Sequence, residues 1–141
     1  MLTFRSQKSL LPDLSLYHII FSNNKITAGD VLGEIVTLTK ACRVDISGNQ
    51  LGPTGMQSFI GALGKKCRIE ELDIGSNGIG DTGLGYIVNG LSGLPQTSGF
   101  HISHNNITSA SGDVLSTFIS SHPTLKALDI SDNNVRHEED T

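Results

Sequence analysis

The sequence predicts an α/β solenoid in which short parallel strands alternate with helices. Three observations lead there. A nine-residue fragment returns along the chain: HIIFSNNKI from His18, RVDISGNQL from Arg43, ELDIGSNGI from Glu71, GFHISHNNI from Gly99 and ALDISDNNV from Ala127. Its asparagines are Asn24, Asn49, Asn77, Asn105 and Asn133, and after a shorter first interval they recur with one constant 28-residue period, in the range of stacked repeats. Between the fragments, Met56, Phe59, Ile60 and Leu63 follow the i, i+3, i+4, i+7 spacing of a helix face, and Leu84, Ile87, Val88 and Leu91 repeat it one period later. One such unit is too small to bury its apolar face, whereas stacked units share a continuous core. Strands that are each reached by a helical crossover must run parallel.

The elements follow in order within each unit. The fragment is the strand and its turn: Leu72 and Ile74 point into the core, Asp73 points out, and Asn77 stands where the chain turns back. Gly52-x-Thr54-Gly55 and Gly80-x-Thr82-Gly83 precede the helices in the same register, and Thr54 and Thr82 are the expected N-caps, with Gln57 at capping-box distance from Thr54. The helices are expected to stop near Cys67, Pro95 and Pro123, which share the same period. The first unit, with Leu32, Ile35, Val36 and Leu38, is three residues shorter, and in the fourth Leu115, Phe118 and Ile119 slip out of register, so that helix is expected to be rotated. Sixteen glycines suit a chain of many turns. Residues 1–15, with Leu10, Leu11 and Leu14, form a weak N-terminal cap, and residues 16–141 form an array of about four and a half units. That array ends on a strand followed only by RHEEDT, which leaves Leu128 and Ile130 without a covering helix. An open edge of this kind invites a longer array, another chain or self-association.

Composition narrows the function. The chain has 141 residues, 37% of them hydrophobic, and a net charge of −4, as befits one folded domain rather than a disordered segment. Its ten Lys and Arg form no basic block, which argues against nucleic acid, because phosphate contacts need clustered cations. No apolar run approaches the ~18 residues of a membrane span and no signal sequence is recognisable, so the expectation is a cytoplasmic protein that avoids membranes. Cys42 and Cys67 differ in repeat register and are expected to be buried, inert thiols. Neither a phosphate-binding loop nor a nucleophile motif occurs, and no cofactor is implied.

The pattern of an apolar leading position, two more apolar positions and an asparagine stands as LYHIIFSNNKI (16–26), IEELDIGSNGI (69–79) and LKALDISDNNV (125–135). The second and fourth units depart from it only at the leading position, with Ala41 and Thr97. At a 28-residue period this resembles the leucine-rich repeat, in its ribonuclease-inhibitor-like class. The resemblance implies a right-handed solenoid with strands on the concave side and helices on the convex side. It also implies that the five asparagines form a ladder of amides between neighbouring turns. Similar repeats occur in actin-capping regulators such as the tropomodulins, in immune receptors and in Ran GTPase-activating proteins. Two functions therefore stand open: a non-catalytic protein-binding module, or a regulatory segment of a larger protein acting on actin or a small GTPase.

With the strands so placed, the concave face carries a central column of Ile20, Asp45, Asp73, His101 and Asp129, flanked by Arg43 and Glu71. Arg43, Asp45, Glu71, Asp73, His101 and Asp129 are the candidate partner-binding residues, and their charge favours a protein with a basic or polar surface. Like charges on neighbouring strands repel, so Asp45 beside Asp73 requires solvent or compensation by Arg43. The competing reading of the column is a solvated face that keeps the sheet soluble. An acid–base pair is not expected, because an open face offers no pocket to perturb a carboxylate. Nor is a metal: His101 and His104 lie near Asp73, Asp129 and Asp132, but strand-and-turn spacing does not converge on one tetrahedral point. No catalytic residue is assigned.

Overall fold

The computed structural model describes residues 17–64 and 67–135. The expected cap at 1–15, the start of the array at Leu16 and the RHEEDT tail lie outside the described residues. Strands β1 (His18–Ile20), β2 (Arg43–Asp45), β3 (Glu71–Asp73), β4 (Gly99–His101) and β5 (Ala127–Asp129) alternate with helices α1 (Gly29–Thr39), α2 (Gly52–Ala62), α3 (Gly80–Leu91) and α4 (Gly112–Ser121). The strands form one parallel sheet in sequence order. This is an open α/β solenoid. None of the described helices is long and apolar enough to cross a membrane.

Each strand turns its middle residue inward. Ile19, Val44, Leu72 and Phe100 are buried, as are Ile46, Ile74 and Ile102 two positions on. They meet Leu32 and Val36 of α1, Met56 and Phe59 of α2, Leu84, Ile87 and Leu91 of α3, and Leu115 and Phe118 of α4. At the last strand, Leu128 of β5 and Ile130 just beyond it are only half-buried. The fourth helix is displaced as its slipped spacing predicts. A short 3-10 turn (Ser109–Ser111) precedes it, Phe118 fills the interior 4.9 Å from Phe100, and Ile119 is left 48% exposed. Leu38 in the first unit likewise lies outside the core rather than on its helix's buried face.

Two features here were invisible in the sequence pattern. Asp81, in the first turn of α3, accepts hydrogen bonds from the Thr108 N–H (3.0 Å), the Thr108 hydroxyl (2.7 Å) and the Ser111 hydroxyl, tying the third unit to the 3-10 turn of the fourth. Burial works against its charge, but the Ser111 and Thr108 hydrogen bonds outweigh it and hold the carboxyl below its ordinary pKa. His122 is buried against Phe118, ring centroids 4.2 Å apart, with its two nitrogens 2.9 Å from the carbonyl oxygens of Phe118 and Leu91.

The expected threonine caps are not formed. Helices α2 and α3 begin at Gly52 and Gly80, ahead of Thr54 and Thr82, and their N-cap residues Leu51 and Ile79 make no side-chain cap. The neighbouring unit does the work instead: the Gly52 N–H donates to the Asn77 carbonyl and the Gly80 N–H to the Asn105 carbonyl. Only in the fourth unit does a threonine cap, where the Thr108 hydroxyl accepts from the Ala110 N–H. The helices also end sooner than expected, at Ala62, Leu91 and Ser121, and Cys67, Pro95 and Pro123 fall in the return segments.

The asparagines stitch successive turns together. Asn49 Oδ1 accepts from the N–H groups of Asn24 and Ile26, both at 3.0 Å, while its Nδ2 donates to the Phe21 and Ile46 carbonyls. Asn77 donates to Ile46 and Ile74, Asn105 to Ile74 and Ile102, and Asn133 to Ile102 and Ile130, each spanning two units. Asn105 Oδ1 receives the Asn77 N–H at 2.9 Å and Asn133 Oδ1 the Asn105 N–H at 2.8 Å. Asn24, in the first described unit, is exposed, and its side chain donates only within its own turn. An amide suits this place because it supplies two donors and an acceptor to backbone that would otherwise be buried unpaired.

On the far side of the core, α1 lies close to α2 because its inward face carries glycines. A Cβ on Gly29 would stand 1.8 Å from the Gly55 carbonyl oxygen, and one on Gly33 2.6 Å from that of Phe59.

Two pairs of substitutions test this frame by urea denaturation. Asn77→Ala should cost about 1–3 kcal/mol, since it orphans buried backbone groups, while Gln57→Ala on the exposed side of α2 should change stability by less than about 0.5 kcal/mol. Equal midpoints for these two would mean the ladder contributes nothing. Gly29→Ala should destabilise by about 1–3 kcal/mol through overpacking. Gly61→Ala, where a Cβ meets open space, should stabilise by about 0.5–1 kcal/mol through helix propensity.

Candidate functional site

The helix-free face of the sheet is built by register. His18, Arg43, Glu71, Gly99 and Ala127 are Cα partners from strand to strand, and so are Ile20, Asp45, Asp73, His101 and Asp129. The six residues Arg43, Asp45, Glu71, Asp73, His101 and Asp129 therefore occupy two adjacent columns of one surface. Ile20 heads the second column and is 61% exposed. The asparagines Asn24, Asn49, Asn77, Asn105 and Asn133 belong to the turns beyond the strand ends, where they serve the backbone.

Of the two ways to tolerate Asp45 beside Asp73, solvent or compensation by Arg43, the second is not the one formed. Arg43 Nε lies 2.8 Å from Glu71 Oε2, in the first column, so the arginine is paired within its own column rather than with Asp45 and Asp73. Both side chains are more than two-fifths exposed, which makes the pair weak in energy but sufficient to orient Arg43.

The aspartates are held by a local device that the sequence reading missed. Asp45 Oδ1 accepts from both the Ser47 N–H (3.0 Å) and the Ser47 hydroxyl (2.6 Å), and Asp129 Oδ1 accepts in the same way from Ser131 (2.9 and 2.6 Å). The signal was present as Asp-Ile-Ser at 45–47 and 129–131, an Asp/Ser pair that closes the strand into its turn. At 73–75 the serine is replaced by Gly75, and Asp73 Oδ1 keeps only the Gly75 N–H at 2.9 Å.

Asp73 and Asp129 are separated electrostatically, by burial first and by this difference in partners second. Burial pushes the pKa of Asp73 above its ordinary value; the Gly75 N–H opposes this, and the Asp45 charge adds to it. Asp129 is held below its ordinary value by the Ser131 hydroxyl and then the Ser131 N–H. The burial of Asp73 corrects the expectation of a face without a pocket. A shallow concavity of about 180 Å³ lies on it, lined by His18, Arg43, Asp45, Glu71, Asp73 and His101, with Val44 at its floor.

His101 and His104 are not brought together. His101 faces this concavity, whereas His104 sits in a turn at φ 53° and lines a separate cleft with Asn49, Gln50, Ser76, Asn77 and Asn106. Among the described residues no group of three or more His, Cys, Asp or Glu is placed to hold a metal ion. Both cysteines are unpaired; Cys67 is buried, but Cys42 is half-exposed rather than buried. Desolvation raises the pKa of each thiol, and at Cys42 the neighbouring Glu70 raises it further.

The two shifts have opposite consequences for stability. Since the folded pKa of Asp73 is raised, its ionised form is disfavoured in the folded chain, and stability declines as pH rises through that pKa. Because the folded pKa of Asp129 is lowered, the stability it contributes is present above its unfolded pKa and is lost as pH falls through the folded one. At pH 7, Asp73→Asn should therefore melt at or above the parent temperature and Asp129→Asn below it. On acidification through the carboxylate range the Asp73→Asn difference should close first. Thermal melts in which the order of the two variants is reversed would refute the assignment.

The Leucine Rich repeat family model matches residues 43–59, 66–88 and 121–138, three segments that contain β2, β3 and β5 and their asparagine turns. No curated protein matches the chain. The matched segments, the repeated strand register and the amide ladder agree on one assignment: these segments are leucine-rich repeats.

Proposed function

We propose that this protein is a non-catalytic binding module whose helix-free sheet face docks a basic surface of another protein. Leucine-rich repeats generally mediate protein–protein interaction, which supports the coarse reading. The observation that carries the finer one is the column Asp45, Asp73, Asp129 beside Glu71, in which Arg43, the one arginine or lysine lining the face among the described residues, is taken up by Glu71. Such a field speeds encounter with a cationic partner and weakens as salt rises, since exposed charges are screened over about 8 Å at physiological ionic strength. The 28-residue period supports the ribonuclease-inhibitor-like class, and two unpaired cysteines suit a reducing, cytoplasmic setting.

The experiment is a double charge reversal, Asp73→Lys with Asp129→Lys, measured against a purified partner first recovered on the parent protein at physiological salt. Binding should weaken by at least about tenfold, with unchanged circular dichroism, and parental binding should itself fall as salt is raised. A reversed protein that binds as well as the parent would show that the face is only a solvated surface.

A further inference from the structure

Ile20 is out of place for a solvated acidic face. It is a large aliphatic side chain, 61% exposed, and its register partner is Asp45, the first carboxylate of the column. Neighbouring strands are about 4.8 Å apart, so Ile20, Asp45 and Asp73 put an apolar contact within ~5–10 Å of two carboxylates on one surface. An exposed apolar side chain becomes favourable only when a partner removes it from water.

The carboxylates beside it are not equivalent. Asp45 and Asp129 each take a serine hydroxyl as well as a backbone N–H, whereas Gly75 leaves Asp73 with the N–H alone. Asp73 therefore has the most acceptor capacity to spare, and it has it inside the concavity of about 180 Å³. That volume is below the about 300–1,000 Å³ of small-molecule sites and suits a single inserted side chain. A Lys ammonium or Arg guanidinium offers donors only, in the number such a carboxylate can accept.

We propose that the face recognises a segment of its partner in which an aliphatic or aromatic side chain adjoins a Lys or Arg, the apolar group covering Ile20 and the cation entering the concavity against Asp73. This rests on the reading that the helix-free face binds protein, and it adds what the bound segment must contain. The contact is bipartite: Ile20 selects for the apolar residue, and Gly75, by withholding a hydroxyl, keeps Asp73 open for the cation.

The test uses the whole chain and fluorescently labelled Gly/Ser peptides that carry Leu-Lys, Ser-Lys, Leu-Glu or Leu-Ser at their centre, read by anisotropy. The Leu-Lys peptide should bind about tenfold more tightly than any of the others. Ile20→Ser should erase the advantage of Leu over Ser and retain the preference for Lys over Glu. Gly75→Ser changes no charge but supplies Asp73 with a hydroxyl; it should erase most of the Lys preference. Its Cβ would lie 3.0 Å from Ser103 Oγ and 3.2 Å from Asp73 Oδ1, so the Ser103 hydroxyl must turn aside. If this variant melts early, Asp73→Asn provides the same readout. The inference is overturned if Ser-Lys binds the parent as tightly as Leu-Lys, if both variants keep the parental preferences, or if no peptide binds at millimolar concentration. The double charge reversal against a whole partner remains an independent measure of the acidic face in each of those cases.

Discussion

An asparagine amide in each turn, buried in the three inner ones, determines how the rest of this molecule is arranged. A solenoid that folds back once per repeat brings a turn of backbone into the interior each time, and unpaired N–H and C=O groups there would cost more than the local packing returns. Asn49, Asn77 and Asn105 are buried at this point with all their side-chain polar atoms engaged. Each donates to its own turn and to the preceding one. The bonds run between units, so they set not only the shape of each turn but its alignment with the next.

That alignment makes a surface out of a sequence period. Once the turns are in step, equivalent residues of successive strands become Cα partners, and whatever a repeat carries at its outward positions is multiplied into a column. Multiplying aspartate has an electrostatic cost. Asp45 and Asp129 meet it by bonding to their own Ser47 and Ser131, and His101 interrupts the column between Asp73 and Asp129. Asp73 lacks the serine and is the carboxylate whose charge the fold disfavours.

Helix placement shows the same dependence on the neighbour. Helices α2 and α3 start without side-chain caps because the following unit presents the Asn77 and Asn105 carbonyls to Gly52 and Gly80. In the fourth unit a different solution appears: Thr108 caps a 3-10 turn, Asp81 of the previous helix anchors it, and α4 is rotated so that Phe118 fills the core in place of Ile119.

The sequence by itself determined the strand positions, the parallel order and the roles of Leu72, Ile74 and Asn77, because these follow from a periodic pattern in which each residue type has one low-energy place. It also determined which side chains share the outward columns, since alternation along a strand is a local geometric rule. What only the tertiary structure decided are the contacts between side chains of different units. The Arg43–Glu71 pair, the Asp81 cluster and the close approach of Gly29 to Gly55 each join residues about one repeat apart in the chain. A repeat period says that such residues are neighbours, but not which rotamer each adopts or which acceptor each donor finds. The concavity around Asp73 arises at that level, from the side chains of four strands that line it, and no local pattern encodes the volume left between them.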